Sequence, residues 1–319
     1  MAPFQNALGI LSSRTCFLHY IASAGLGLPW GDRKQGRNIL PIRQPLAAES
    51  KCRYPTMPAT FCVAPLPRLE LGPSISLGEH VIKAVFFDLY QTLVGYTPPR
   101  EEWESKMLDG LGIKVPPSAF ARAFTAADEY FYTENAKRPL SRRTKEEVTE
   151  VYFKHQSIVL REGGIQPEPD LVRQMLLRWR DTKLKQTLFD DVIPAMTELK
   201  RRELKLGVIS NVDRDIKPLM DELDLTPFLS IVVTSQETGF TKPHPEIFLE
   251  ALRQADLPAD EVIFIGDQYQ IDVLGASAVG MRAVLLDRGG FSEAPSECVR
   301  VKNLYQLSAL VDQETAGWK

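Results

Sequence analysis

Val85-Phe86-Phe87-Asp88-Leu89-Tyr90-Gln91-Thr92-Leu93 decides how this chain is read. Three apolar residues run into an aspartate, and polar residues and a turn follow. A buried strand that delivers a carboxylate to the carboxyl edge of a sheet reads this way, and in open α/β sheets that edge binds ligands. Downstream the same short apolar runs return at Leu206–Ser210, Ser230–Thr234, Val262–Gly266 and Ala283–Leu286. Helical stretches at Val192–Arg202, Asp215–Leu223, Pro245–Ala255 and Ile271–Val279 alternate with them. Such alternation predicts βαβ units, hence an α/β fold with a parallel sheet and helices on both faces. Met281–Asp287 and Val299–Leu304 would close the sheet.

Between the first strand, Ile82–Asp88, and these units the period changes. After a break at Gly95-Tyr96-Thr97-Pro98-Pro99, Phe120, Phe124, Ala127 and Phe131 recur at helical spacing, with Ser118 placed as N-cap. A second amphipathic run, Glu146–Arg161, stops at Gly163-Gly164, and a third covers Asp170–Lys185. No strand separates them, so residues from about Arg100 to Leu188 read as an all-helical block inserted between the first and second strands. Its place in the chain puts it over the sheet's carboxyl edge. The expected division is 81–96 with 188–319 as the core domain and 97–187 as the inserted block. Within the block, Tyr130-Phe131-Tyr132 reads as bundle packing, and Arg138, Arg142 and Arg143 as a solvated face.

The chain has 319 residues, 44% hydrophobic and 25% charged, with a formal charge of −3, as expected of a soluble globular protein with no general pull toward nucleic acid or anionic membrane. Cys16, Cys52, Cys62 and Cys298 are scattered without a C-x-x-C pair, which argues against a disulfide framework or zinc site and fits a reducing, cytoplasmic setting. No apolar run approaches the roughly 18 residues of a membrane span. Residues 1–80 lack a sustained period and carry Pro41, Pro45, Pro55, Pro58, Pro65, Pro67 and Pro73. Three readings fit them: a disordered extension, an organelle-targeting segment, or residues upstream of a native start such as Met57.

Three further motifs carry chemistry. Gly207-Val208-Ile209-Ser210-Asn211 ends a strand with a small hydroxyl and an exposed amide, which can hold an anion without crowding it. Lys242 sits in Gly239-Phe240-Thr241-Lys242-Pro243-His244-Pro245, where a loop lysine can offset the repulsion of two carboxylates; His244 reads as an exposed loop residue. Phe264-Ile265-Gly266-Asp267-Gln268-Tyr269-Gln270-Ile271-Asp272 ends a buried strand with one acid and adds another five positions on. His19, His80 and His155 are isolated, so no zinc cluster is expected.

Taken in order, these four motifs resemble the signatures of the haloacid dehalogenase-like superfamily, Rossmann-like hydrolases with an inserted cap. The resemblance implies that Asp88 is a nucleophile forming an aspartyl intermediate. It places Thr92 in support of the loop by hydrogen bonding, and Ser210 with the Asn211 amide on the oxygens of the transferred group. It also implies a magnesium ion held by Asp88, Asp267 and the backbone carbonyl of Tyr90, with Asp272 acting through water or by orienting Lys242. Gly275, Ala276 and Ala278 would let the following helix approach the sheet closely.

Tyr90 departs from the family's phosphatases, which carry a second acid there to protonate the leaving alkoxide. With an ordinary pKa near 10, tyrosine is a poor base at pH 7. Asp-x-Tyr resembles the 2-haloacid dehalogenases, whose halide needs no protonation. Those enzymes carry Ser-x-Asn where this chain has Gly266-Asp267, and Pro98-Pro99-Arg100-Glu101-Glu102 places Arg100 only loosely as a halide receiver. The leading expectation is a magnesium-dependent phosphatase of a small phosphorylated metabolite, selective for good leaving groups. Hydrolytic dehalogenation of a small acid and a catalytically weak binding or regulatory module stay open.

Overall fold

The computed structural model describes residues 81–182 and 184–315; the proline-rich stretch 1–80, with His19, His80 and three of the cysteines, lies outside them. In chain order, β1 (Ala84–Phe87) leads through a tight loop to β2 (Val94–Thr97). Four helices follow: α1 (Arg100–Asp109), α2 (Ala121–Lys137), α3 (Lys145–Glu162) and α4 (Pro169–Arg180). β3 (Lys185–Leu188) brings the chain back, followed by α5 (Val192–Arg201), β4 (Lys205–Ser210), α6 (Lys217–Glu222) and β5 (Ile231–Thr234). The rest comprises α7 (Ser235–Thr238), α8 (Pro245–Ala255), β6 (Val262–Gly266), α9 (Leu274–Ala278), β7 (Arg282–Leu286), β8 (Arg300–Val301) and α10 (Leu307–Thr315).

Six strands form one sheet in the order β5-β4-β1-β6-β7-β8, every neighbouring pair parallel. Because side chains alternate along a strand, β1 feeds two cores. Val85 and Phe87 join Met196, Leu199, Leu219 and Leu307 on one face. Ala84 and Phe86 join Phe248, Ala251 and Ala276 on the other. Each fully buried large apolar side chain contributes about 1.5–3 kcal/mol, and burial on both faces explains the unbroken apolar runs in the sequence. The chain leaves β1 toward β4 on one side and β6 on the other, so the carboxyl end of β1 is the switch point where open α/β sheets bind ligands.

The stretch between β1 and β4 corrects the sequence reading in three places. It is not wholly helical: β2 and β3 pair antiparallel, Val94 opposite Leu188 and Thr97 opposite Lys185, and this ribbon carries the chain into and out of the helices. Gly95 and Pro98 disguised β2 as a break. The third helix ends at Arg180 rather than Lys185, because Thr182 Oγ1 donates to Arg178 O (2.7 Å) and accepts from Trp103 Nε1 (2.7 Å), tying the chain to α1. Ser118 is not an N-cap, since Pro117 opens a 3₁₀ turn through Phe120 and α2 begins after it without a side-chain cap. α3, by contrast, starts on a capping box between Thr144 and Glu147.

Downstream the differences are smaller. The helix expected over Ile271–Val279 is a π-helical turn (Tyr269–Val273) followed by α9, and Ala278 there is exposed. Gly275 is tight as expected: a Cβ would meet the Phe248 ring at 2.7 Å.

Candidate active site

Three strand ends meet above the sheet. Asp88 follows β1, with its N–H donating to Ile265 O of β6 (2.8 Å); Ser210 closes β4; and Asp267 follows β6. The loop after Asp88 folds tightly on itself through Val94 N→Leu89 O (2.9 Å) and Gln91 N→Val94 O (2.8 Å), which puts Gln91 in the left-handed region at φ 64°. A non-glycine residue held there costs energy and marks an over-determined backbone.

Lys242 Nζ reaches into this junction and donates to Asp88 Oδ1 and Asp272 Oδ1, both at 2.6 Å. Lys242 is itself clamped. Its N–H donates to Asn211 Oδ1 (2.6 Å) and its carbonyl accepts from Asn211 Nδ2 (3.0 Å), so the Asn211 amide fixes the lysine loop against β4. Asp272 is set by the π turn: its Oδ2 accepts from Gln268 N (3.0 Å), while Gln268 Nε2 donates to Asp267 Oδ2 (2.7 Å). Gly266 makes room, because a Cβ there would fall inside the Asp272 carboxylate.

Carboxylate oxygens of Asp88, Asp267 and Asp272 lie within 4.8 Å of one another. Burial raises Asp88 to about 6, Lys242 pulling it down and Asp272 pushing it up. Asp267 is driven well above the ordinary carboxylate range by burial and then by Asp88 and Asp272. Burial works against the Lys242 ammonium, yet Asp272 and Asp88 outweigh it and hold the lysine protonated. One buried lysine thus pairs with two buried carboxylates, with the half-buried Asp267 beside them.

This arrangement coincides with a sequence match. Residues 82–280 match the profile of the haloacid dehalogenase-like hydrolase family. The chain belongs to that family. As a family hydrolase it is 30% identical over 219 residues to the glyceraldehyde 3-phosphate phosphatase of Methanopyrus kandleri, covering 67% of this chain and 87% of that one. It is 27% identical over 233 residues to the ribulose-1,5-bisphosphate 5-phosphatase of Halopiger xanaduensis, covering 72% and 95%. The fold is also that of a solved L-2-haloacid dehalogenase, at a TM-score of 0.50 and 15% identity, covering 73% of this chain and 99% of that one.

The cavity of this hydrolase, about 540 Å³, lies between the strand ends and the helices α1–α4. Asp88, Tyr90, Ser210, Asn211, Lys242, Asp267 and Asp272 all line it. Thr92 does not. Its hydroxyl is buried with no hydrogen-bond partner among the described residues, so the expected side-chain support is missing. The loop is held instead through the Thr92 carbonyl, which accepts from Arg288 Nη2 (2.8 Å), and Arg288 is locked on Asp191 (2.8 and 2.9 Å). Tyr90 is buried, and its Oη accepts from Arg214 Nη2 (2.8 Å).

Several residues on the helical side do more than their sequence context suggests. Arg100 is held tightly: its guanidinium makes a two-point pair with Asp128 (3.1 and 2.8 Å) and lies 4.5 Å from the Phe124 ring centre. Burial tends to raise Asp128, but Arg100 outweighs it and keeps the carboxylate ionised. His155 Nε2 lies 3.3 Å from Asp128 Oδ1, so this histidine belongs to a buried cluster rather than standing alone. A signal existed, because Asp128 follows Phe124 by four residues and precedes Phe131 by three, on the apolar stripe of α2. Phe131 packs as expected, stacked on Tyr152 at 5.7 Å. Tyr132 lines the cavity, its pKa raised well above the ordinary value by burial and by Asp128, Asp267 and Asp88. Arg138 and Arg143 staple their own turn, Arg138 Nη2 donating to Arg142 O (2.7 Å) and Arg143 Nε to Arg138 O (3.0 Å). Arg142 is exposed at the cavity wall.

Behind that wall, Glu104 is fully buried with no cation paired to it among the described residues, and accepts from Gln156 Nε2 and Trp179 Nε1, both at 2.7 Å. Burial raises its pKa to about 7.

Proposed function

We propose that this hydrolase is a magnesium-dependent phosphatase of small phosphorylated metabolites, with Asp88 as nucleophile. The observation that carries the reading is the Asp88/Asp267/Asp272 cluster at the switch point of the sheet, with Lys242 bonded to Asp88 and Asp272. The donor set fits a hard divalent ion: carboxylate oxygens mutually within 4.8 Å, one of them on an acid that burial and like charges push far from its ordinary pKa. Asp88, Asp267 and the Tyr90 carbonyl would hold the ion. Asp272, already committed to Lys242 and Gln268, orients the lysine. The ion supplies charge neutralisation for an anionic substrate.

Charge supports a phosphate substrate. The cavity is lined by five carboxylates and four lysine or arginine side chains, and one divalent cation reverses that balance toward an anion. The relatives named as phosphatases of sugar and triose phosphates point the same way.

An Asp88 oxygen attacks phosphorus, the bond to the leaving oxygen breaks, and an aspartyl phosphate forms; water then cleaves this mixed anhydride and regenerates the carboxylate. Ser210 and the backbone amide of Asn211, both lining the cavity, would hold the phosphoryl oxygens, and Lys242 would balance their charge. The block of residues 97–187 acts as a cap that encloses the leaving fragment and excludes water. Tyr90, held by Arg214, makes leaving groups that need no proton, such as acyl and aryl phosphates, the favoured substrates.

Tyr90 also supports a second reading, dehalogenation of a short 2-haloacid, against which the uncompensated carboxylates stand. A catalytically weak binding module is the third. A panel of phosphate esters and 2-chloropropionate, assayed with and without magnesium for both phosphate and chloride, separates them. Magnesium-dependent phosphate release is expected. Chloride release in chelator would establish the dehalogenase, and tight ligand binding without turnover the binding module.

A further inference from the structure

Displacement at phosphorus is in line, so the departing oxygen lies on the side opposite the attacking one. With Asp88 at the carboxyl edge of the sheet, a leaving oxygen departs toward the helices that roof the cavity. Several polar groups on that roof are engaged with one another. Arg100 holds both oxygens of Asp128, Gln156 Nε2 donates to Glu104, and Asn135 Oδ1 accepts from Leu140 N (2.9 Å). Tyr132 is placed differently. It lies on α2 one turn after Asp128, is half-buried and lines the cavity, and its hydroxyl makes no hydrogen bond among the described residues. α2 packs against the π-helical turn Tyr269–Val273 that carries Asp272, which brings this helix down to the core. Burial, then Asp128, Asp267 and Asp88, hold the Tyr132 phenol protonated, so carboxylates of both the helical side and the sheet side act on it. A neutral donor therefore stands between the two walls of the cavity.

We propose that Tyr132 is a further catalytic residue whose hydroxyl donates a hydrogen bond to the oxygen leaving phosphorus, so that the favoured leaving fragment is an aryl or acyl group. This rests on the phosphatase reading, in which Asp88 attacks phosphorus. As the Asp88 oxygen bonds to phosphorus, the bond to the leaving oxygen breaks and its electron pair stays on that oxygen. Tyr132 keeps its proton throughout. A phenol held above its ordinary pKa near 10 does not yield its proton to a departing phenolate or carboxylate, and the fragment takes any proton it needs from water after release. What Tyr132 supplies is a fixed dipole where negative charge develops, and such a donor is worth more in an enclosed cavity than in water. It comes from the cap rather than from the loop of the nucleophile, where Tyr90 sits.

The test turns over phenyl, 4-nitrophenyl and 2,4-dinitrophenyl phosphate in magnesium with the full-length wild type, Tyr132→Phe and Tyr132→Gln. kcat/KM is the quantity to compare, because it reports transition-state stabilisation relative to free enzyme and substrate. Tyr132→Phe should lose about 10²- to 10³-fold on phenyl phosphate, the worth of one oxyanion donor, and far less on the dinitrophenyl ester, whose phenolate needs least help. Log kcat/KM should therefore fall more steeply with leaving-group pKa in Tyr132→Phe than in wild type. Tyr132→Gln, which keeps a neutral donor, should give an intermediate slope. Each slope compares substrates on one protein sample, so an unfolded fraction leaves it unchanged, and a purely structural role would lower all substrates equally. Slopes in both variants equal to or shallower than that of wild type would overturn the proposal and leave the phosphatase reading in place. No turnover of the series by wild type would overturn both.

Discussion

Arg214 Nη2 donates to Tyr90 Oη at 2.8 Å, binding the residue two places after Asp88 to the loop that follows β4. Where an alkoxide leaves, that hydroxyl is a weak substitute for a carboxylic acid, and general acid catalysis is typically worth about 10²- to 10⁴-fold. Tyr90→Asp is therefore expected to raise kcat on an alkyl phosphate by at least about 10-fold relative to an aryl phosphate. Steady-state kinetics on ethyl phosphate and 4-nitrophenyl phosphate checks this. An unchanged ratio would show that leaving-group protonation is not what Tyr90 limits.

Lys242 is buried between Asp88 and Asp272. Breaking a buried pair from one side costs about 3–5 kcal/mol, because the remaining charge is left uncompensated. Lys242→Met should lose about that much stability in chelator and regain part of it in magnesium, which takes over the role of counter-charge. Thermal unfolding with and without the ion measures both. An equal loss in the two conditions would remove the ion from the cluster.

Glu104 gives a pH dependence whose sign is set by burial. Its pKa is 4.5 in an unfolded chain and about 7 in the fold, so the folded protein keeps a proton that the unfolded chain releases. Stability should fall as pH rises from about 4.5 to about 7 and level off above, a loss of about 3 kcal/mol. Glu104→Gln should flatten that slope. Its amide can accept from Trp179 and, with the Gln156 amide turned over, donate to Gln156 Oε1, which is buried without a partner among the described residues. Urea unfolding at pH 5 and pH 8 should show the variant gaining on wild type only at the higher pH. Parallel pH slopes in the two proteins would refute the assignment.

How much of this was legible in the sequence follows from how each feature is encoded. β1, β4 and β6 are buried on both faces, and their apolar runs end abruptly in Asp88, Ser210 and Asp267, so sheet and site were readable together. β2 and β3 form a ribbon of four residues each, punctuated by Gly95 and Pro98 and stabilised by a partner about ninety residues away; local pattern carries no trace of such pairing. The Arg100–Asp128–His155 cluster draws on three helices, and its only local sign was an acid on the apolar stripe of α2. Arg214 looked like any loop arginine. It lines the cavity and meets Tyr90, whose departure from the family motif was visible but whose contact with Arg214 was not.

Attack of Asp88 on phosphorus at a magnesium-dependent site is tested by turnover of 4-nitrophenyl phosphate by wild type and Asp88→Asn, each with magnesium and with chelator. Phosphate release is expected from wild type in magnesium only, with a loss of at least about 10⁴-fold in Asp88→Asn, as for removal of a nucleophile. Turnover indifferent to both magnesium removal and the Asp88 substitution would contradict it.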